Sequence, residues 1–221
     1  MKTFFLSILT SLLSALSQQT LQSELTLSVT APGSQPITYA GSLLMQGRQF
    51  RAEMLGITAA CDGQTLFLYQ PEADELTISS PSDEDLRQTN PLLFVQALVP
   101  LCNAAERPAK NNSETVITLS PKNISSSPAS SSSTQASANN YSPLNPLLND
   151  FRSITVRVRN ADLMPLSVEL RETKTTTLLT FKSTRWLASP SDAQMQSGSS
   201  SSSPFVLSAG DFPSAFINDL R

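Results

Sequence analysis

Strict alternation of apolar and polar residues recurs along this chain, and a chain so patterned hides its apolar side chains only by folding as sheet with one face turned inward. Leu21, Leu25, Leu27 and Val29 alternate with Glu24, Thr26, Ser28 and Thr30, and Ala31-Pro32-Gly33-Ser34 then reads as a turn. Thr38 to Gln46 predicts a second strand with Tyr39, Gly41, Leu43 and Met45 on one face, followed by a turn at Gly47. Phe50, Ala52 and Met54 mark a third strand. Ile57 to Cys61 and Gln64 to Tyr69 flank Asp62-Gly63, a pair that between apolar runs signals a hairpin. Leu76-Thr77-Ile78 extends the meander, and strands resume at Thr115 to Ser120, Ile154 to Val158, Leu166 to Leu170 and Leu179 to Phe181.

One helix interrupts the strands. Asn90 suits an N-cap and Pro91 the first helical position. Leu92 to Val99 is apolar on nearly every side, with Gln96 the exception, until Pro100 ends the run. Such a helix belongs inside something. Asp83-Glu84-Asp85 before it reads as a solvated loop, because adjacent carboxylates cannot all point at one centre. The tracts 125–140 and 191–203 are Ser-rich and too poor in apolar residues to order themselves, so both are expected to be disordered loops. Ser142 to Leu148 reads as a short helical or irregular apolar segment, and Phe205-Val206-Leu207 begins a last short element. Many antiparallel strands with short turns predict a mainly β fold, a curled sheet or barrel that hides its edges.

Composition narrows what such a sheet can do. The 221 residues suit one domain, and the net charge of −3 without a basic cluster argues against nucleic acid. There is no histidine, which removes the usual general base and the commonest metal ligand. Two cysteines, Cys61 and Cys102, are too few for a structural zinc site. They are read either as a disulfide or as two buried thiols. No phosphate loop, nucleophile elbow or zinc motif is present, so the reading is of a non-enzyme without cofactor or metal. Aromatic residues make up 6% of the chain, so an inner face would be mainly aliphatic and suited to flexible acyl chains.

The N-terminus places Lys2 before an uncharged apolar stretch, with small residues at Ala15 and Ser17. Residues 1–17 therefore read as a secretory signal cleaved after Ser17, leaving 18–221 as the mature domain. The alternative is an apolar first helix of the mature fold.

Several segments, in order, resemble the LolA-like outer-membrane lipoprotein carriers, in the version seen in Bacteroidetes-type bacteria. Gly41 to Arg51 looks like the family's strand-turn-strand stretch, and Cys61-Asp62-Gly63-Gln64-Thr65-Leu66-Phe67-Leu68-Tyr69 like its Asp-Gly-Lys-Thr-x-aromatic-x-Tyr signature. Asn90-Pro91-Leu92-Leu93-Phe94 resembles the start of its lid helix, Leu119-Ser120-Pro121-Lys122 its Leu-Thr-Pro-Lys, and Phe212 to Arg221 its C-terminal ending. Where proteobacterial members carry an Arg-Pro whose arginine helps lock the lid, this chain has Gln46-Gly47-Arg48, so that role is not carried over to Arg48. The family's N-terminal helix is here shortened or missing.

The resemblance implies a half-open antiparallel β-barrel with a short helical lid over an apolar cavity. It implies a monomeric periplasmic carrier that takes lipoprotein acyl chains from an inner-membrane export complex to an outer-membrane acceptor. Leu43, Met45, Leu66, Leu68, Phe94 and Leu98 are the expected acyl contacts. The competing readings are a periplasmic binder of a glycolipid or other apolar ligand, and a lipoprotein sensor that transports nothing.

Overall fold

The computed structural model describes residues 7–110, 112–122, 151–188, 190–192 and 203–221. The strands are β1 (Thr20–Thr30), β2 (Ile37–Gln46), β3 (Gln49–Met54), β4 (Ile57–Cys61), β5 (Leu66–Gln70), β6 (Glu75–Ser79), β7 (Cys102–Pro108), β8 (Glu114–Pro121), β9 (Phe151–Arg159), β10 (Met164–Glu172), β11 (Thr176–Leu187) and β12 (Phe216–Asp219). They form one mainly antiparallel sheet in the order β12-β6-β5-β4-β3-β2-β1-β11-β10-β9-β8-β7. The sheet does not close, and β12 and β7 are its edges. One pairing departs from the antiparallel expectation: β12 runs parallel to β6, Phe216 opposite Glu75 through Asp219 opposite Ile78. A C-terminal segment that crosses the sheet before pairing can arrive in that direction.

Register carries the sequence pattern into three dimensions. Trp186, Leu21, Met45, Phe50, Cys61 and Leu66 follow one another across six neighbouring strands as direct cross-strand partners. Two positions further along the strands, Leu43, Ala52, Ala59 and Leu68 make a second row. The inner face of the other half contributes Ile117, Leu119, Ile154, Val156 and Val158 to the same core. Gly41 is needed where the rows are tightest, since a Cβ there would lie 2.5 Å from the Glu53 carbonyl oxygen.

Three helices lie with this face. Helix α1 (Ser7–Gln18) runs directly into β1, and α2 (Asp83–Thr89) and α3 (Pro91–Leu98) stand between β6 and β7. Leu9, Leu12 and Leu16 fall at helical spacing and are buried in the core. A helix of this length is marginal in water, so packing holds it, at roughly 1.5–3 kcal/mol per buried leucine. Within the segment read as an export signal, the residues from Ser7 onward form this core-packed helix. The Asp83-Glu84-Asp85 run differs from the expected loop: it is the first turn of α2, where acidic groups suit the helix dipole. Ser82 and Asp85 cap that turn reciprocally, and the Ser82 hydrogen bonds hold the Asp85 carboxyl below its ordinary pKa.

The outer face is also apolar on one side. Ala60, Phe67, Leu76 and Leu207 form a second cluster, and Tyr69 stacks on Phe212 with ring centroids 3.8 Å apart. Phe205 and Leu207 are buried, so the last element expected from Phe205-Val206-Leu207 is an irregular strap over β4–β6. The tract 125–140, Ser142 to Leu148 and residues 193–202 lie outside the described residues.

Candidate functional site

Five of the six residues expected to touch acyl chains meet in one cluster. Leu43, Met45 and Leu98 are buried within it, while Leu66 and Phe94 are half-buried against it. Leu68 is half-buried on the same inner face, two residues along β5 from Leu66. In this chain that cluster is filled by α1 and α3, and Leu98 is only 1% exposed.

The inner face continues past the helices. Leu27 lies opposite Tyr39 on one side and Leu179 on the other, and Val29 lies opposite Ile37. These residues alternate with the polar outer positions of β1 and β2, so they face the same way as Leu25 and Leu43. They are covered far less: Leu27, Val29 and Leu179 are half-buried, Tyr39 is 38% and Ile37 59% exposed. Ile57 is also half-buried on this face, beside Met54. The result is an apolar shelf, open at one end of the half-barrel, leading into a core of aliphatic side chains. The expected site residues omitted this shelf, although the period-two pattern had already placed Tyr39 on the face of Leu43 and Met45.

Specific polar contacts hold the helical cover. The Gly47 N–H donates to the Leu16 carbonyl at 2.8 Å, tying α1 to the β2–β3 turn. Gly47 takes φ +56°, which a glycine adopts without strain. Asn90, fully buried, accepts from the Leu93 N–H at 3.2 Å as the cap of α3. Its Nδ2 donates to the Gly47 carbonyl at 3.0 Å. Arg48 Nη2 lies 2.9 Å from Asp83 Oδ1, so Arg48 does join the turn to the helical cover, in an exposed pair of modest strength. At the other end, Glu106 on β7 accepts from the Leu9 N–H at 2.9 Å, placing a carboxylate at the start of α1.

Cys61 and Cys102 are both buried and free, and burial pushes both thiols up in pKa, so they behave as small apolar side chains. No helix among the described residues is long and apolar enough to cross a membrane.

This is an open β half-barrel with an apolar inner face and a short helical cover. It is similar to an uncharacterised conserved protein from Thermus thermophilus, with 11% identity over 96% of this chain and 97% of that one and a TM-score of 0.50. That likeness is one of fold. Structural matches also include a LolA superfamily protein from Nitrosomonas europaea, at 11% identity over 82% of this chain and 94% of that one with a TM-score of 0.35. LprF from Mycobacterium bovis matches at 10% identity over 83% of this chain and 92% of that one, with a TM-score of 0.41. No family model matches the sequence, and no curated protein sequence matches it.

Proposed function

We propose that this protein is an exported carrier, not an enzyme, that shields lipoprotein acyl chains between an inner-membrane export complex and an outer-membrane acceptor. The observation that carries the reading is the partly exposed inner shelf of Leu27, Val29, Ile37 and Tyr39, continuous with the aliphatic core. An ordinary packed core ends where its cover ends; here the apolar face runs on into solvent.

Each methylene moved from water is worth roughly 0.8 kcal/mol, so a long acyl chain needs a shield of this kind to leave a membrane at all. A lining of leucine, valine and alanine adapts to a flexible chain without fixed polar contacts, which favours release as well as uptake. In this reading residues 1–17 are the export signal. While they remain, α1 fills the inner face; cleavage after Ser17 removes Leu9, Leu12 and Leu16 and lengthens the apolar trough.

The test is saturable uptake of a fluorescent acylated peptide, followed by its transfer to acceptor vesicles. Uptake with transfer is the expected result. Absence of uptake by both the full chain and residues 18–221 overturns the reading. Native mass spectrometry of the protein from its own envelope identifies the cargo, and a glycolipid found there in place of a lipoprotein overturns the cargo assignment.

A further inference from the structure

The outer face of β7–β10, on the side of the sheet away from the inner shelf, carries a hollow of about 730 Å³. Its residues are those that alternate with the core: Ile117, Ile154 and Val156 turn inward, whereas Val116, Thr118, Thr155 and Arg157 turn outward. Register sets its chemistry. Arg107 lies opposite Val116 and Val116 opposite Arg157, so two arginines flank one apolar side chain in a single cross-strand row. Two positions along, Thr118 lies opposite Thr155 and sets two hydroxyls side by side. Arg171 and Lys110 complete the basic lining.

These groups are not balanced from within. Arg157 is paired with Glu114 and Arg171 with Glu169. Arg107 and Lys110 have no carboxylate partner among the described residues, and the Thr118 and Thr155 hydroxyls have no hydrogen-bond partner there. A concave site whose lining sets Arg107, Lys110, Arg157 and Arg171 against the single carboxylate of Glu169, within a chain of net charge −3, is matched by an oxyanion. The hollow is open and has room for more than a bare phosphate, and Val116 with the arginine stems gives such a group an apolar floor.

We propose that this hollow takes the phosphate-bearing headgroup of an anionic phospholipid and seats the outer face of the protein on a bilayer. The sheet separates this site from the inner face, so docking leaves the acyl shelf free, and the proposal stands whether or not that shelf carries cargo. Docking of this kind weakens with salt.

The experiment is co-sedimentation of the full chain with phosphatidylcholine vesicles with and without phosphatidylglycerol, at low and high salt. Three proteins are compared: wild type, Arg107→Gln/Lys110→Gln, and Lys174→Gln/Lys182→Gln, which removes the same charge from exposed positions elsewhere. The expected result is salt-sensitive binding that requires phosphatidylglycerol. It should be weakened about thirtyfold in the first variant and far less in the second. Thermal melts confirm that both variants fold. Equal weakening in both variants reduces the effect to net charge and overturns the site. Binding of inorganic phosphate or glycerol phosphate without binding to vesicles overturns the membrane assignment, as does indifference to phosphatidylglycerol.

Discussion

The Asn90 side chain joins two parts of the chain 43 residues apart: its Nδ2 donates to the Gly47 carbonyl at 3.0 Å while its Oδ1 caps α3. Gly47 in turn donates its N–H to Leu16, so one turn anchors α1 and α3 together. Asn90→Ala loses a cap and takes the donor from the half-buried Gly47 carbonyl. It is expected to cost about 1–3 kcal/mol and to lower the melting temperature by roughly 3–8 °C. Asn90→Asp keeps the acceptor and loses the donor, so it should fall between. Equal stability of all three proteins in thermal melts would rule the linkage out.

The strands of the meander were legible because period-two patterning and turn chemistry agree there, as at Leu43, Met45 and Gly47. The cap at Asn90 was legible for the same reason: residue type and position point one way. Strand β7 was not, since Cys102, Ala104 and Glu106 give the inner side of an edge strand little apolar signal. The acidic turn of α2 was missed because capping by Ser82 outweighs the loop-like composition of Asp83-Glu84-Asp85. The site was only half legible. Periodicity assigns residues to a face, but where the cover stops along that face is set by helix length and packing, which is why Tyr39 was placed on the right side and not recognised as its open end.

Arg51 offers a test of the outer face. Its side chain is 4% exposed, bonded through Nε and Nη2 to Glu53, and its Nη1 has no partner. Glu53→Gln leaves a buried guanidinium without its countercharge and is expected to destabilise by about 1–3 kcal/mol. Arg51→Met removes both the charge and the orphaned donor and should be neutral or stabilising. Urea unfolding of the two variants checks the signs. A strongly destabilising Arg51→Met would mean that the charge itself holds this face.

The pH dependence of stability follows from which groups are shifted. Arg159 hydrogen bonds hold the Asp162 carboxyl below its ordinary 3.8, and Arg221 holds Asp219 down at about 2. A carboxyl with a depressed folded-state pKa contributes above its unfolded pKa and loses that contribution as pH falls through the folded value. With no histidine in the chain, melting temperature is expected to be level between about pH 5 and 8 and to decline below the ordinary carboxylate value. Asp162→Asn should lower the plateau slightly and shallow the acid limb. A transition near pH 6 in the wild type would contradict this.

Removal of residues 1–17 separates the two roles open to α1. The inner face then loses Leu9, Leu12 and Leu16. The shortened chain is expected to melt lower than the full chain, to take up more acyl probe, and to regain melting temperature when the probe is bound, since a ligand of the native state stabilises it. A shortened chain that is destabilised and gains no uptake would make α1 a structural element and nothing more.

The inner shelf and the inner core should respond oppositely to the same chemistry. Leu98 is 1% exposed and packed in the central cluster, so Leu98→Asn puts an amide among hydrocarbon and should destabilise by about 2–5 kcal/mol. Ile37 at 59% and Tyr39 at 38% exposure already meet water, so Ile37→Asn and Tyr39→Ser should leave the melting temperature within roughly 2 °C of wild type. Their effect should appear in acyl uptake instead. Each substitution leaves a polar group facing the bound chain, and a penalty of about 1–3 kcal/mol corresponds to a loss of affinity of about 5-fold to 150-fold. Measuring melting temperature and probe affinity on the same samples distinguishes the two behaviours. If uptake falls only in variants that also unfold, the shelf is not where the acyl chain lies. If Tyr39→Ser abolishes uptake in a fully folded protein, the open end of the half-barrel is the entrance.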